Sequence, residues 1–158
     1  MKYEFDIYGA RILVVDDKAA NVMLLEQLLG LTGYRQVSST MEPQTVCALH
    51  EANPYDLILL DLKMPVMDGF AVMEGLKKNP HDAYLPVIVL TAEPGHKLRA
   101  LQAGAKDFIS KPFDLLEVKT RIYNMLEVRM LYQKLENYSK LLEYATNQRT
   151  DEMSAARL

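Results

Sequence analysis

The sequence predicts an α/β fold, a doubly wound parallel sheet of five strands that ends in a long C-terminal helix. Two observations carry this. Three runs, Ile12-Leu13-Val14-Val15, Leu57-Ile58-Leu59-Leu60 and Val87-Ile88-Val89-Leu90, are apolar without alternation. Strands covered on both faces read this way, whereas half-exposed antiparallel strands alternate. Helical patterns fall between the runs, and strands alternating with helices wind into a parallel sheet through right-handed crossovers.

The elements follow in order. After the first run, Lys18–Leu31 places Val22, Leu25, Leu28 and Leu29 on one helix face, and Gly33 suits the C-cap. Gln36–Ser39 is a weaker strand. The second helix, Pro43–Ala52, opens on a proline whose missing N–H costs nothing in a first turn. Gly69–Lys78 is the third helix, with Asp68 as its N-cap, and Pro94–Ala103 the fourth, stopped by Gly104. Lys106–Ile109 is a weaker fifth strand. The last helix begins near Asp114, another good N-cap.

That last pattern outlasts what a small domain needs. From Val128 its apolar positions step by three and four through Leu131, Leu135, Tyr138, Leu142 and Ala145, an a/d seam of about two and a half heptads. A helix folded back on its own domain, a frayed polar end over Asn147–Leu158 and a helix projecting as a dimerising linker all stay open. The projecting helix is preferred. The chain thus divides into an N-terminal extension (1–10), a folded domain (11–126) and an extended helix (127–158). That helix is a candidate coiled coil leading to an output domain or a dimer partner.

Composition bounds the function. Hydrophobic residues at 49% and charged residues at 25% of 158 suit a globular domain. A net charge of −3 offers no basic footprint, so direct nucleic-acid binding is not expected. Cys47 is the one cysteine; it sits among apolar residues and reads as packing. No apolar stretch reaches the ~18 residues of a membrane span, and Met1–Gly9 lacks the apolar core of a secretory signal. A cytoplasmic protein without membrane contact is expected.

The chemistry gathers at strand ends. The first strong run is followed by Asp16-Asp17, the second by Asp61 and the third by Thr91, while Lys111-Pro112 follows the fifth strand. Ligands of doubly wound sheets bind outside the carboxyl ends of the strands. Three carboxylates there repel one another unless a cation intervenes. Oxygen ligands favour Mg²⁺, and the lack of His or Cys disfavours zinc. A carboxylate such as Asp61 can then attack phosphorus, with Lys111 offsetting charge on the phosphoryl oxygens. Taken singly, each residue has a plainer role: Asp16-Asp17 favouring a helix N-terminus, Thr91 a cap, Lys111 a solvated surface. Those roles fail jointly, because each would have to reach the same sheet edge by accident.

Arg11 to Asp17, then Asp61-Leu62-Lys63-Met64-Pro65-Val66-Met67-Asp68-Gly69, Leu90-Thr91-Ala92 and Lys111-Pro112-Phe113 resemble the response regulator receiver family, from about Arg11 to Met125. The resemblance implies a flavodoxin-like strand order 2-1-3-4-5 and a phosphoacceptor at Asp61, charged by a histidine kinase or phosphotransfer protein. It implies Mg²⁺ on Asp17 and Asp61, on Asp16 through water, and on the backbone carbonyl of Lys63. Thr91 and Phe108 match the switch positions, Lys111 the phosphate-pairing cation, and Lys111-Pro112 a position where the family has a cis bond. Receivers with such a charged last helix often precede cyclic-dinucleotide enzymes or kinase modules. Homodimerisation through that helix, and no small-molecule substrate beyond phosphodonors, complete the expectation.

Some positions carry narrower expectations. The Lys63 and Glu93 side chains are expected to pair across the approach to Asp61. His50, His81 and His96 share no motif and are expected at the surface, and Met125 and Met130 toward a partner. Among rivals, a phosphatase of the haloacid dehalogenase type wants Asp-x-Asp, where this chain has Asp61-Leu62-Lys63. A dinucleotide site wants Gly-x-Gly-x-x-Gly after the first strand, where it has Asp16-Asp17-Lys18-Ala19-Ala20. The same segment lacks the hydroxyl- and glycine-rich loop of a flavin module. A receiver-shaped module that is never phosphorylated fits poorly with the complete acidic set.

Overall fold

The structure, a computed structural model, describes residues 6–78 and 84–156. Strands β1 (Arg11–Val15), β2 (Gln36–Thr40), β3 (Leu57–Asp61), β4 (Val87–Thr91) and β5 (Asp107–Ser110) form one parallel sheet. Their order is β2-β1-β3-β4-β5, as expected. The helices are α1 (Ala19–Thr32), α2 (Val46–Ala52), α3 (Gly69–Lys77), α4 (His96–Gln102) and α5 (Leu115–Ala156). Pro43–Thr45 forms a 3-10 turn ahead of α2. The fourth helix starts two residues later than expected. The N–H groups of His96 and Lys97 instead close tight turns on the carbonyls of Glu93 and Pro94.

Period-two alternation along each strand sorts its side chains between two cores. On one face Ile12, Val14, Leu57, Leu59, Ile88, Leu90 and Ile109 pack under α1 and α5. On the other, Leu13, Val15, Ile58, Leu60, Val87 and Val89 pack under α2, α3 and α4. The continuous apolar runs of the sequence are therefore double-faced burial. Cys47 packs against the second core, as expected. The described part of the N-terminal extension is tied in as well. Ile7 and Ala10 join the first core, and the Tyr8 carbonyl accepts from the Arg35 N–H at 3.0 Å.

Helix ends obey local chemistry. Gly33 takes φ 116°, a left-handed conformation open to glycine, and its N–H closes α1 on Leu29 and Gly30. Asp68 Oδ1 accepts from the Ala71 N–H at 2.9 Å, and Asp114 Oδ1 from Leu116 at 3.0 Å and Glu117 at 3.2 Å. Both act as the N-caps that the sequence suggests.

Two expectations are corrected. His50 is not a surface residue: it is buried, and its Nδ1 accepts the Tyr55 N–H at 3.0 Å, satisfying a loop amide before β3. Met125 and Met130 do not face outward but pack half-buried on the first core beside Val118, Ile122 and Leu126. His81 lies outside the described residues. α5 neither folds back nor ends at Asn147; it runs unbroken to Ala156, leaving Leu131, Leu135, Tyr138 and Leu142 exposed. Among the described residues no helix is long and apolar enough to cross a membrane.

Gly69 opens α3 where no side chain fits. A Cβ there would lie 2.7 Å from the Asp61 carbonyl oxygen and 2.9 Å from Leu62 Cα, both backbone atoms that cannot step aside. Gly69→Ala is expected to cost about 1–3 kcal/mol, the range for overpacking a rigid site. Urea unfolding checks this, and an unchanged midpoint contradicts the steric account.

Candidate functional site

Parallel register brings the polar strand ends together. Val15 pairs with Leu60, so Asp16 and Asp61 emerge side by side from adjacent strands. Asp61 pairs with Leu90, and Thr91 with Ser110, which sets Lys111 just past the edge of the sheet. The Lys111 N–H donates to the Thr91 carbonyl at 2.9 Å, and the Lys111-Pro112 bond is cis. Asp16, Asp17 and Asp61 each offer a carboxylate oxygen, all within 4.8 Å of one another.

The three carboxylates are held differently. Asp16, fully buried, accepts from the Lys18 N–H at 3.0 Å, Asn21 Nδ2 at 3.1 Å and Lys111 Nζ at 3.2 Å. Asp61, 3% exposed, has Oδ1 at 3.3 Å from both the Lys63 N–H and Lys111 Nζ. Asp17 Oδ1 is buried without a hydrogen-bond partner among the described residues. An orphaned buried carboxylate oxygen is costly, and a cation is the natural partner for it. The donor set is all oxygen, so the residues present fit Mg²⁺.

Electrostatics agree with this crowding. Burial and the neighbouring Asp16 charge push the Asp61 carboxyl up from 3.8 to about 6, against the pull of Lys111. The wall beyond Asp61 is built by β4 and its following loop. Thr91 is buried, and its Oγ accepts the Glu93 N–H at 3.0 Å and donates to the Glu93 carbonyl at 3.3 Å, a local turn. Lys63 Nζ meets Glu93 Oε1 at 2.8 Å, the pairing expected from sequence. These groups line an open cleft of ≈ 350 Å³ with Lys18 and His96. A liquid water takes about 30 Å³, so a phosphoryl group fits with water to spare.

Sequence reasoning missed two of these residues. His96 sits at the rim with Nε2 3.1 Å from Glu93 Oε2; its spacing of three from Glu93, across a tight turn, was the available signal. Asn21 reaches Asp16 from the first turn of α1, with no motif to announce it. Phe108 lies half-buried on β5 next to the second core. Lys97 Nζ is 4.5 Å and the Arg121 guanidinium 5.4 Å from its ring centre. Arg121 is itself held by Asp107 at 2.8 and 3.0 Å.

A parallel five-stranded α/β sheet with a carboxylate cluster and a lysine at its C-terminal edge defines a class, and the comparisons agree with it. The family model of the response regulator receiver domain matches residues 12–123, and the chain belongs to that family. Response regulator PleD of Caulobacter vibrioides is 40% identical over 129 residues, 80% of this chain and 28% of that protein. A probable cyclic di-GMP phosphodiesterase of Vibrio cholerae is 31% identical over 150 residues, 94% of this chain and 34% of that protein. The chain thus spans roughly a third or less of these relatives. Among solved structures, the receiver domain of sensor histidine kinase PA1611 from Pseudomonas aeruginosa superposes with TM-score 0.69 at 30% identity. That match covers 75% of this chain and 98% of the other, which holds a magnesium ion in its active site cleft.

A raised Asp61 pKa has a consequence for stability. The folded state prefers the protonated carboxyl, so the contribution is fully present below about 4 and is lost as pH rises through about 6. In metal-free protein, Asp61→Asn is therefore expected to stabilise by about 1–2 kcal/mol at neutral pH and by nothing below pH ~4. Thermal melts in chelator at both pH values check this; equal effects at the two contradict it.

Proposed function

We propose that the chain accepts a phosphoryl group from a histidine kinase or phosphotransfer protein onto Asp61 in a Mg²⁺-dependent reaction, and that it does so in the cytoplasm. The observation that carries this is the cluster itself. Three carboxylates lie within 4.8 Å, one buried oxygen lacks a partner among the described residues, and Lys111 stands 3.3 Å from Asp61. Asp17 and Asp61 would hold the metal, with Asp16 through water and the Lys63 carbonyl as a further ligand. The ion's contribution there is charge neutralisation of the carboxylates and the incoming phosphoryl oxygens.

The chain's own groups do the rest. An Asp61 oxygen forms a bond to phosphorus while the donor's bond to phosphorus breaks and the donor keeps that electron pair. Lys111 neutralises charge on the transferred oxygens. Thr91 exchanges its local turn with Glu93 for a phosphoryl oxygen, drawing its loop inward, and Phe108 responds beside α4 and α5. The product is a signalling state of the protein, and turnover of a free substrate has no part in it. α5 then passes the change to a second copy of the chain, to an output module, or to both. The regulatory relatives, several-fold longer than this match, support that direction.

Incubation with Mg²⁺ and acetyl phosphate should add one phosphoryl group by mass, at Asp61, and Asp61→Asn should add none. Modification that survives Asp61→Asn contradicts the assignment. The Lys63–Glu93 pair lies across the approach of hydrolytic water, so Lys63→Ala should shorten the acyl-phosphate lifetime severalfold. An unchanged lifetime rejects that gating role.

A further inference from the structure

Within the first half of α5, the stretch Arg129–Gln133 is fastened to the domain at the sheet edge opposite the carboxylates. Arg129 is buried, and its guanidinium donates to the carbonyls of Tyr84, ahead of β4, and of Tyr55, ahead of β3, the latter at 3.5 Å. Its Nε lies 3.5 Å from Asp56 Oδ1. One turn on, Gln133 donates to the same Asp56 Oδ1 at 3.1 Å, while Asp56 Oδ2 accepts from the Arg11 N–H at 2.8 Å. The Tyr132 ring stacks on Tyr84 at 4.1 Å and 7°. The starts of β1, β3 and β4 are thus gathered onto one stretch of one helix.

The phase of that grip matters. Ile122, Leu126, Arg129 and Gln133 step by four, three and four, which keeps them on one side of the helix. At about 100° per residue, the seam from Val128 to Ala145 is centred roughly 170° away, on the other side. The domain holds α5 by one face and turns the seam outward. With Val128 at an a position, Arg129 falls at b and Gln133 at f, the outer positions of a coiled coil. The positions flanking the seam are Glu127, Tyr132, Lys134, Ser139, Leu141 and Thr146, with two formal charges of opposite sign among them, and in a parallel pair neither charge faces another across the seam. Glu136, Lys140 and Glu143 lie outside, the first two paired at 3.6 Å. A second copy can therefore meet this seam in parallel without like charges in opposition.

We propose that Arg129, Tyr132 and Gln133 form a clamp that fixes the rotational phase of α5. Two chains then pair in parallel through Val128, Leu131, Leu135, Tyr138, Leu142 and Ala145, with each receiver held on the outside. This rests on the receiver function and dimerising helix proposed above.

The test uses the full chain in a Cys47→Ala background. Leu135→Cys should oxidise to a covalent dimer and Lys140→Cys at least about tenfold less, since a disulfide cannot span Cα atoms more than ~7 Å apart. Equal yields, or a monomer in light scattering, overturn the pairing. Amide exchange across 126–138 should quicken about tenfold in Arg129→Met and in Gln133→Ala, as local opening is eased. Unchanged exchange in both overturns the clamp; if Arg129→Met does not fold, Gln133→Ala and Tyr84→Leu decide. Beryllofluoride binding with Mg²⁺, followed by fluorine NMR, should persist in every folded variant. Its loss from the parent chain overturns the receiver function instead, whereas its retention with equal cross-linking overturns only this inference.

Discussion

Three carboxylates and one lysine share one sheet edge, and their unbalanced charge is the constraint on which the rest depends. Asp16, Asp17 and Asp61 bring three formal negative charges, and Lys111 returns one. In water this would cost little. Here Asp16 is fully buried and Asp61 nearly so, which raises the Asp61 pKa, and a buried Asp17 oxygen has no hydrogen-bond partner among the described residues. Such an arrangement is stable only while the fold enforces it, and it is relieved by a cation or by chemistry at one of its members. Stored electrostatic tension of this kind is common at sites whose function is to react.

The fold enforces it through strand register. Side-by-side emergence of Asp16 and Asp61 follows from the Val15–Leu60 pairing, which double-sided burial of both strands pins in place. Slipping either strand by one residue would exchange its two buried faces and carry its carboxylate out of line. The apolar runs and the acidic residues are thus one specification: the former set where the latter arrive. Gly69 belongs to the same specification, since only its missing Cβ lets α3 start against the Asp61 carbonyl.

Much of this was legible in the sequence because it is local or periodic. Unalternating runs gave the covered strands, spacing gave the helices, and Asp68, Asp114 and Gly33 announced their caps. What stayed hidden depends on how loops turn and how helices are phased against the sheet. His50 looked like a surface residue because nothing nearby in the chain shows that Tyr55 N–H needs an acceptor. Met125 and Met130 read as partner-facing since the phase of α5 against the sheet cannot be taken from spacing alone. Asn21 carries no motif that ties it to Asp16, and His96 is tied to the site only by its spacing of three from Glu93.

The two edges of the sheet are joined by the strands themselves. β3 begins beside Tyr55 and Asp56, under Arg129, and ends at Asp61; β4 begins just past Tyr84, under the same guanidinium, and ends at Thr91. A helix gripping both starts senses any change in their relative position, because packed β-strands transmit displacement instead of absorbing it. Phosphorylation at Asp61 with recruitment of Thr91 would pull on the C-terminal ends of this same pair. A shift too small to notice at the site, delivered to the base of a lever that extends roughly 35 Å beyond Gln133, becomes a sizeable movement at its tip. An unclamped helix would swing freely and lose that signal, which is why a buried arginine belongs at this end of the sheet.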